Sequence, residues 1–496
     1  MPSSLLAPIN GISHLSKNLH RKRANIFCEW LKISKFIGSI FPALLLTGCA
    51  ALFKTPYQTP AATLPTAWQG QTTTASPAPN SWWQGFGDPV LNDLIAEALA
   101  RNNDLAAATM LVYKAQLTAE QADSNRLPNL AVGANNTQTH TLDDGGKNSR
   151  SYAASGKINY EQDLWGKLGS RYDAARWQAE ATAEDRASTA LSLTGTTASL
   201  YWQIASLNQR IDLSKSSVAY AGQTLKLAQV RLAAGAGTAM ETLEAERNLA
   251  GQEASQTTLI QQRVEARHAL AILFDGPPDS LFIIEPTTLD TAILPDVVAG
   301  LPADLLARRP DLRAAESRLR SALATSDASR ASLYPTITLN GSLGGSSENL
   351  SRLLSNPLAT LASDLALPFV QWRDLQRNIK ISETEYQQAI VSFRQALYTA
   401  LTEVENCLSA RQQYKIQEEK LELALQTARQ TEELYRIRYE AGGALLTSWL
   451  DAQENRRQAE IAVAANRLNQ LQNHITLCKA LGGEPLQQVP ADNQPH

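Results

Sequence analysis

Two stretches of the sequence place an arginine and a carboxylate at the same spacing. Residues 231–250 read RLAAGAGTAMETLEAERNLA, and residues 438–457 read RYEAGGALLTSWLDAQENRR. Each begins with Arg, passes through Ala-Gly, and reaches a leucine–carboxylate–alanine triplet, centred on Glu244 or Asp451. Guanidinium and carboxylate groups form charge-assisted hydrogen bonds, so ion pairing is the chemistry that these residues could perform.

Covalent chemistry has no comparable support in the sequence. No P-loop, HExxH or GxSxG motif is present, and no nucleophile stands beside a recognisable base. His268 and His474 are isolated, so we predict no metal site and no cofactor. The net charge of −3 is not typical of a nucleic-acid-binding protein. We therefore expect a protein that is not an enzyme and binds no nucleic acid.

The N-terminal region has the pattern of an export signal. Several Lys and Arg residues precede the apolar run 36–48, which is too short to span a bilayer. Basic, then apolar, then small residues are typical of a signal peptide. The stretch Leu46–Cys49 resembles the bacterial lipobox, which implies that Cys49 receives lipid and becomes the mature N-terminus. An ordinary signal peptide with an incidental cysteine is the alternative.

The sequence is a tandem repeat with an offset of 207 residues. Trp165 aligns with Trp372, Ala234-Gly235 with Ala441-Gly442, and Gly276 with Gly483. Internal repeats of this length indicate a duplicated structural unit. We predict five segments: a signal peptide at 1–49, an extended linker at 50–90, repeats at 91–283 and 284–483, and a disordered tail at 484–496.

Each repeat begins with a helical segment and continues into strands. Helical spacing covers 91–125 in one copy and 302–332 in the other. Alternating apolar and polar residues then predict strands, at 130–137, 151–161, 336–343 and 361–369. Such strands suit either the half-buried sheet of a soluble protein or a transmembrane barrel. A barrel needs about eight strands to close, so four strands would require oligomerisation.

A long helical hairpin follows the strands in each repeat. Apolar residues recur every seven positions from Phe393 to Tyr435, which indicates coiled-coil packing. A helix over 167–232 would span roughly 100 Å at about 1.5 Å per residue. The Ala-Gly pairs at 234–235 and 441–442 predict helix ends, and new helices start near Thr238 and Leu445. The fold class is therefore mostly α with a small β part.

Tryptophans and cysteines have two interpretations each at this level. Trp165 and Trp372 follow the strands, which suits an aromatic belt at a membrane boundary or a packed core. An exported protein permits a disulfide between Cys407 and Cys478. Both cysteines lie among apolar residues, so two buried free thiols are the other interpretation.

At this point the sequence resembles the TolC-like outer membrane factors, and in particular the OprM/NodT-type efflux lipoproteins. The likeness covers nearly everything after Cys49. It is carried by Leu46–Cys49 and by four further stretches: SWWQGFGDPVLNDLIAEALARNNDL (81–105), YEQDLWGKLGSR (160–171), RRPDLRAAE (308–316) and RYEAGGALLTSWLDAQ (438–453). The resemblance implies a homotrimer with a twelve-stranded outer-membrane β-barrel, continued by a long α-helical barrel in the periplasm. It also implies the passive exit duct of a tripartite efflux or type I-like export system, which conducts small molecules such as drugs and is lipid-anchored in the outer membrane. Its partners would be a periplasmic adaptor and an inner-membrane pump, of the RND type.

The resemblance assigns roles to residues at the hairpin tips. Asp451 matches the acidic position of the family's LDA motif, and Tyr439 and Arg438 match positions that tether a closed tip. Glu241 lies at a gate-lining position, and Glu244 is the repeat mate of Asp451. Arg438 would pair with Asp451 or with a carboxylate of a neighbouring chain. The tip residues expected to contact the adaptor are Ala234, Gly235, Ala441 and Gly442.

The sequence departs from the family pattern at Ser448, where some relatives have Asp, and at Ala444, where some have Arg. Fewer charged ties are therefore expected at the gate.

Two other classes of protein are alternatives to the channel. A periplasmic lipoprotein adaptor would also have coiled-coil hairpins, but a lipoyl-like domain around a single hairpin is expected there. A lipoprotein enzyme would need the catalytic constellation that the sequence lacks.

Overall fold

The computed structural model describes residues 54–69, 81–140, 142, 148–278, 284–289, 292–295, 302–355 and 357–483. The predicted signal peptide, Cys49 and the tail 484–496 lie outside these residues. The described chain divides into two compact units. One contains residues 123–171 and 324–380, and the other contains residues 57–122, 172–323 and 381–483, apart from the undescribed gaps.

The first unit is built on an antiparallel sheet of four strands in the described chain. The strands are β1 (Asn129–His140), β2 (Asn148–Gln162), β3 (Thr336–Ser347) and β4 (Leu358–Ala366), in that spatial order. The prediction of four strands is confirmed, but the last one was placed too late. β4 ends before Pro368, which begins a 3-10 turn, because proline has no N–H for a strand ladder.

Strand register gives the sheet one apolar and one polar face. Leu130 pairs with Ile158, Ile158 with Gly341, and Gly341 with Leu361, so one cross-strand row is apolar. The row one residue along contains Ala131, Lys157, Ser342 and Thr360. Leu130 and Leu361 are 70% and 79% exposed. The apolar face is therefore uncovered within one chain.

The helices repeat with the offset found in the sequence. They are α1 (Pro89–Arg101), α2 (Asn103–Ser124), α3 (Lys167–Ala233), α4 (Ala239–Ile272), α5 (Pro310–Ala331), α6 (Trp372–Glu440) and α7 (Leu446–Ala480), with a single helical turn at Leu305–Arg308. The helices α2 and α5 begin 207 residues apart, and so do α4 and α7. In the described chain, no helix has a stretch long and apolar enough to cross a membrane.

The predicted helices over 91–125 and 302–332 are each interrupted, which corrects the sequence interpretation. Asn102 adopts an extended conformation, and its side chain accepts a hydrogen bond from Leu105 N at 3.1 Å. Asn102 thus caps α2 in the way that helix N-caps generally do. Arg309 breaks the second segment because a residue before proline disfavours the helical conformation. The Arg309 guanidinium then bonds Glu403 at 2.7 Å and the Ala480 carbonyl at 3.1 Å.

The seven-residue stripes form the core of the second unit only along part of their length. Phe393, Ala400 and Cys407 are at most 6% exposed. Farther along the same stripe, Tyr414 and Leu421 are half-buried. One chain therefore leaves the second part of this stripe incompletely covered.

Part of the predicted linker packs on the helices. Trp68 is 5% exposed and belongs to the main apolar cluster. The hydroxyl of Tyr57 donates to Glu316 at 3.2 Å, and the Arg320 guanidinium lies 4.4 Å from the Tyr57 ring centroid. A 3-10 turn at Trp82–Phe86 also falls inside the segment 50–90, and its composition did not predict that turn.

Both helical cysteines are free and buried, so no disulfide joins Cys407 to Cys478. The Cys478 sulfur lies 3.6 Å from His474 Nε2. Burial lowers the pKa of His474 to about 4, which keeps the imidazole neutral.

Trp165 is partly buried, donates to the Pro335 carbonyl at 2.8 Å, and stacks on Tyr334.

Replacing Gly442 with alanine tests the helix end of α6. Gly442 has φ of 75°, where a side chain costs about 1–2 kcal/mol, although a Cβ added there would meet no heavy atom within 4 Å. We expect faster hydrogen exchange of the Gly442 and Gly443 amides in Gly442→Ala, measured by mass spectrometry.

Gly443→Ala is the matched control. Its added Cβ would lie 3.6 Å from the Arg438 carbonyl oxygen, an ordinary contact, and its φ is not positive. Equal exchange in the two variants would contradict the assignment of strain to Gly442.

Candidate functional site

The two hairpin turns have the same backbone design. Gly235 and Gly442 both adopt left-handed conformations, with φ of 72° and 75°. The next amide in each turn bonds back to an arginine carbonyl, from Ala236 to Arg231 at 2.9 Å and from Gly443 to Arg438 at 2.8 Å. This pattern satisfies carbonyls that a helix end leaves unpaired. The prediction that the Ala-Gly pairs end the long helices is confirmed.

The helices that follow the two turns begin differently. Thr238 and Glu241 form a capping box, in which Thr238 N donates to Glu241 Oε2 at 3.1 Å and Glu241 N donates to Thr238 Oγ1 at 3.3 Å. Leu445 occupies the equivalent position in the second turn and has no side-chain cap. Glu241 therefore has a local structural role that the sequence interpretation did not assign.

A small apolar cluster, here called the tip cluster, joins the two hairpins near their turns. Its buried members are Ala228, Ala245, Tyr439, Leu446 and Trp449. Tyr439 is fully buried, and its ring centroid lies 5.3 Å from that of Trp449. Since these residues come from α3, α4, α6 and α7, the cluster fixes one hairpin against the other.

Arg231 connects the first hairpin to the end of α6. Its guanidinium carbon lies 4.6 Å from the Tyr439 ring centroid, a cation–π geometry. Its Nη1 donates to the Tyr439 carbonyl at 2.9 Å, and Nη2 donates to the Ala236 carbonyl at 3.2 Å. One side chain thus holds both turns. Its 207-residue offset from Arg438 is the sequence signal that could have identified it.

The predicted pair of Arg438 with Asp451 does not form within the chain. Both side chains are exposed, and within the described residues the Arg438 side chain has no hydrogen bond or ion pair. A pair with a neighbouring chain stays a prediction. The physical reason for the difference is position: Arg231 lies against the buried face of Tyr439, whereas Arg438 points away from the tip cluster into solvent.

Tyr439 experiences an unusual environment. Burial raises its pKa, and the negative charge of Glu241 raises it further. Its hydroxyl is buried without a hydrogen-bond partner in the described part of the chain.

The other predicted residues near the turns differ in exposure. Glu244 is half-buried and Ser448 is partly exposed. Ala234, Gly235, Ala441 and Gly442 are all exposed, as tip residues that contact a partner would need to be.

A polar network continues from the tip cluster between the hairpins. Arg456 pairs with Glu432 at 2.9 Å and lies 5.6 Å from the Tyr220 ring centroid. Gln453 donates to Thr224 Oγ1 at 3.3 Å in a buried position. Sequence reasoning missed these residues because nothing in their spacing distinguishes them from solvated helix positions. Among the described residues, no group of His, Cys, Asp and Glu could hold a metal ion.

The structure shows an amphipathic sheet and two helical hairpins joined near their turns, and comparison with known proteins identifies the family. A model of the family described as outer membrane efflux protein matches residues 94–274 and 301–483. These matches cover more than half of the chain. The protein therefore belongs to the outer membrane efflux protein family, which consists of TolC-like channel proteins.

Similar proteins cover most of the chain. The pyoverdine export outer membrane protein OpmQ of Pseudomonas putida is 31% identical over 84% of this chain and 92% of its own length. Toxin and drug export protein A of Aggregatibacter actinomycetemcomitans is 30% identical over 82% and 88%. The solved open state of the Neisseria gonorrhoeae MtrE outer membrane channel has a TM-score of 0.80 and 28% identity, covering 88% of this chain and 99% of that one.

These similarities confirm the predicted family, the tandem-repeat fold and a function as the outer membrane component of efflux. The alternative of a periplasmic adaptor is not supported.

Arg231→Lys tests whether one guanidinium holds the two turns. Lysine cannot bond two carbonyls in a plane while it stacks on Tyr439. We expect about tenfold faster hydrogen exchange at Ala236 and Gly442, from the loss of about two hydrogen bonds.

Arg438→Lys is the matched control. Arg438 is the equivalent of Arg231 in the second repeat, and its side chain makes no hydrogen bond or ion pair within the described residues. If both variants accelerate exchange at the turns equally, Arg231 has no special role there.

Proposed function

We propose that three copies of this chain form one passive exit duct across the outer membrane. The observation that carries the proposal is the sheet, whose exposed apolar face is continuous across all four strands. Strands of 9 to 15 residues are long enough for a bilayer, which needs about 9–11 residues per strand.

The sheet edges favour oligomerisation. The outermost strands, β1 and β4, each have one edge that no described strand pairs. Unpaired backbone groups in hydrocarbon cost several kcal/mol each, so only a closed barrel is stable there. Pairing β4 of one copy with β1 of the next in a trimer would give twelve strands and leave no edge.

The helices supply the periplasmic part of the proposed duct. The helices α3 and α6, of 67 and 69 residues, would each extend roughly 100 Å. The half-buried ends of their seven-residue stripes are suited to packing against the next copy. We place the turns at the periplasmic mouth, where Ala234, Gly235, Ala441 and Gly442 contact a periplasmic adaptor.

The duct would receive its cargo from an inner-membrane pump of the RND type through that adaptor. One relative is named for pyoverdine export and another for toxin and drug export, and the pyoverdine and drug names support small molecules as cargo. Lipid on Cys49 would anchor the trimer, with no other cofactor and no catalytic activity. Tyr439, Arg438, Glu241, Glu244 and Asp451 would line or close the mouth, with the carboxylates repeated in threefold rings.

Carboxylate rings at a narrow mouth favour cations. We expect the double variant Glu241→Gln, Asp451→Asn to lose part of the cation preference in planar bilayers, measured as a reversal-potential shift in a salt gradient. Glutamine can also complete a capping box, so Glu241→Gln removes the charge and preserves the helix start.

Glu97→Gln is the control, since Glu97 is an exposed carboxylate on α1, paired with Arg101 at 2.6 Å. A purified protein that conducts no ions would refute the duct. A conducting double variant with unchanged selectivity would refute only the charged rings.

Cys49→Ser should abolish lipid attachment, because a hydroxyl cannot replace the thiol in thioether formation. Incorporation of labelled palmitate measures this directly, and Cys407→Ala should still incorporate label. Labelling that persists in Cys49→Ser would contradict the lipidation prediction.

A further inference from the structure

A small cavity lies among α3, α4 and α7, beyond the tip cluster and outside the predicted gate. Its volume is about 30 Å³, enough for one small group. Polar side chains on its wall include Arg210, Ser214, Gln252, Ser255, Arg457 and Glu460. Leu213, Leu259 and Ile461 form the apolar part of the wall.

Arg210 is the one arginine on this wall without a charge partner in the described chain. Arg457 pairs with Glu454 at 2.5 Å. The Arg210 Nε is buried and has no acceptor, and no hydrogen bond or ion pair of its side chain occurs within the described residues. Burial and the nearby positive charge of Arg457 lower the pKa of Arg210.

The nearby carboxylates already have arginine partners. Glu460 pairs with Arg429 at 3.3 Å, and Glu454 accepts from both Arg457 and Gln458. The Ser255 hydroxyl donates to the Gly251 carbonyl at 2.9 Å. Arg210 and the Ser214 hydroxyl remain as donors without acceptors in the described chain. Each carboxylate near the cavity thus has an arginine partner, whereas Arg210 has no carboxylate partner in the described chain.

We propose that this cavity binds one anionic group, held by the guanidinium of Arg210 and the hydroxyl of Ser214, with Arg457 adding positive charge. A charge-assisted hydrogen bond is about twice as strong as a neutral one, and the apolar part of the wall strengthens it further. The group can come from a free inorganic anion or from the carboxylate of another protein chain. Both sources share the chemistry of a compact monovalent anion.

Thermal unfolding of the full-length purified protein tests the proposal, with sodium bromide and sodium acetate as probes in otherwise halide-free buffer. Bromide represents a free inorganic anion, and acetate represents a side-chain carboxylate. We expect at least one salt to raise the midpoint of wild type by about 1–3 °C more than that of Arg210→Gln, at a concentration about ten times Kd.

Lys215→Gln is the matched control, since Lys215 is exposed on the same helix and the charge change is identical. It should respond to salt like wild type. A larger effect of bromide assigns the site to inorganic anions, and a larger effect of acetate assigns it to a carboxylate.

Arg210→Met keeps the experiment interpretable if Arg210→Gln folds poorly. Without an added anion, we expect the midpoint of Arg210→Met to equal or exceed that of wild type, because the variant removes an uncompensated charge. With the effective salt, wild type should become the more stable protein. If both salts shift wild type, Arg210→Gln and Arg210→Met equally, no anion binds at Arg210 and the proposal fails.

Discussion

The rest of the structure depends on the packing of small and apolar side chains at seven-residue intervals along two very long helices. Phe393, Ala400 and Cys407 are buried within the chain, whereas Tyr414 and Leu421 on the same stripe are only half-buried. Helices of this length cannot enclose their own apolar faces along their whole extent, since each hairpin has one neighbour in the chain. The half-buried part of the stripe and the open edges of the sheet are the two features on which the proposed trimer rests.

Duplication gave the two hairpins the same turn and different chemistry. Both turns end a helix with a left-handed glycine, because that backbone solution is independent of side chains. The side chains that hold the turns in place differ between the two copies. The first copy has the capping box and the arginine that holds the second turn, and the second copy provides the buried Tyr439 that this arginine contacts. A pseudo-symmetric unit can thus have an asymmetric tip. The first hairpin supplies the arginine, and the second hairpin supplies the ring and the carbonyl group that the arginine contacts.

Carboxylates between the hairpins are paired with arginines, but one arginine there has no carboxylate partner in the described chain. Glu432 pairs with Arg456, Glu454 pairs with Arg457, and Glu460 pairs with Arg429. Arg210 lacks such a partner among the described residues and lies beside a cavity. Since a partly buried charge is costly without a counter-charge, this exception points to a ligand or partner rather than to internal stability.

The sequence by itself determined the duplication, the order of elements and the positions of both turns, because periodicity and glycine act locally. The offset of 207 residues reappears in the starts of α2 and α5 and of α4 and α7. Local chemistry also set the breaks at Asn102 and Arg309, where an Asn cap and a following proline are visible in the sequence, although the helical spacing around them obscured both signals. Only the tertiary structure decided which of two equivalent arginines holds the tip. Arg231 and Arg438 occupy the same place in the repeat, but the hairpins pack so that Arg231 meets the ring of Tyr439 and Arg438 meets solvent. That choice depends on contacts between residues about 200 positions apart, which no local pattern encodes.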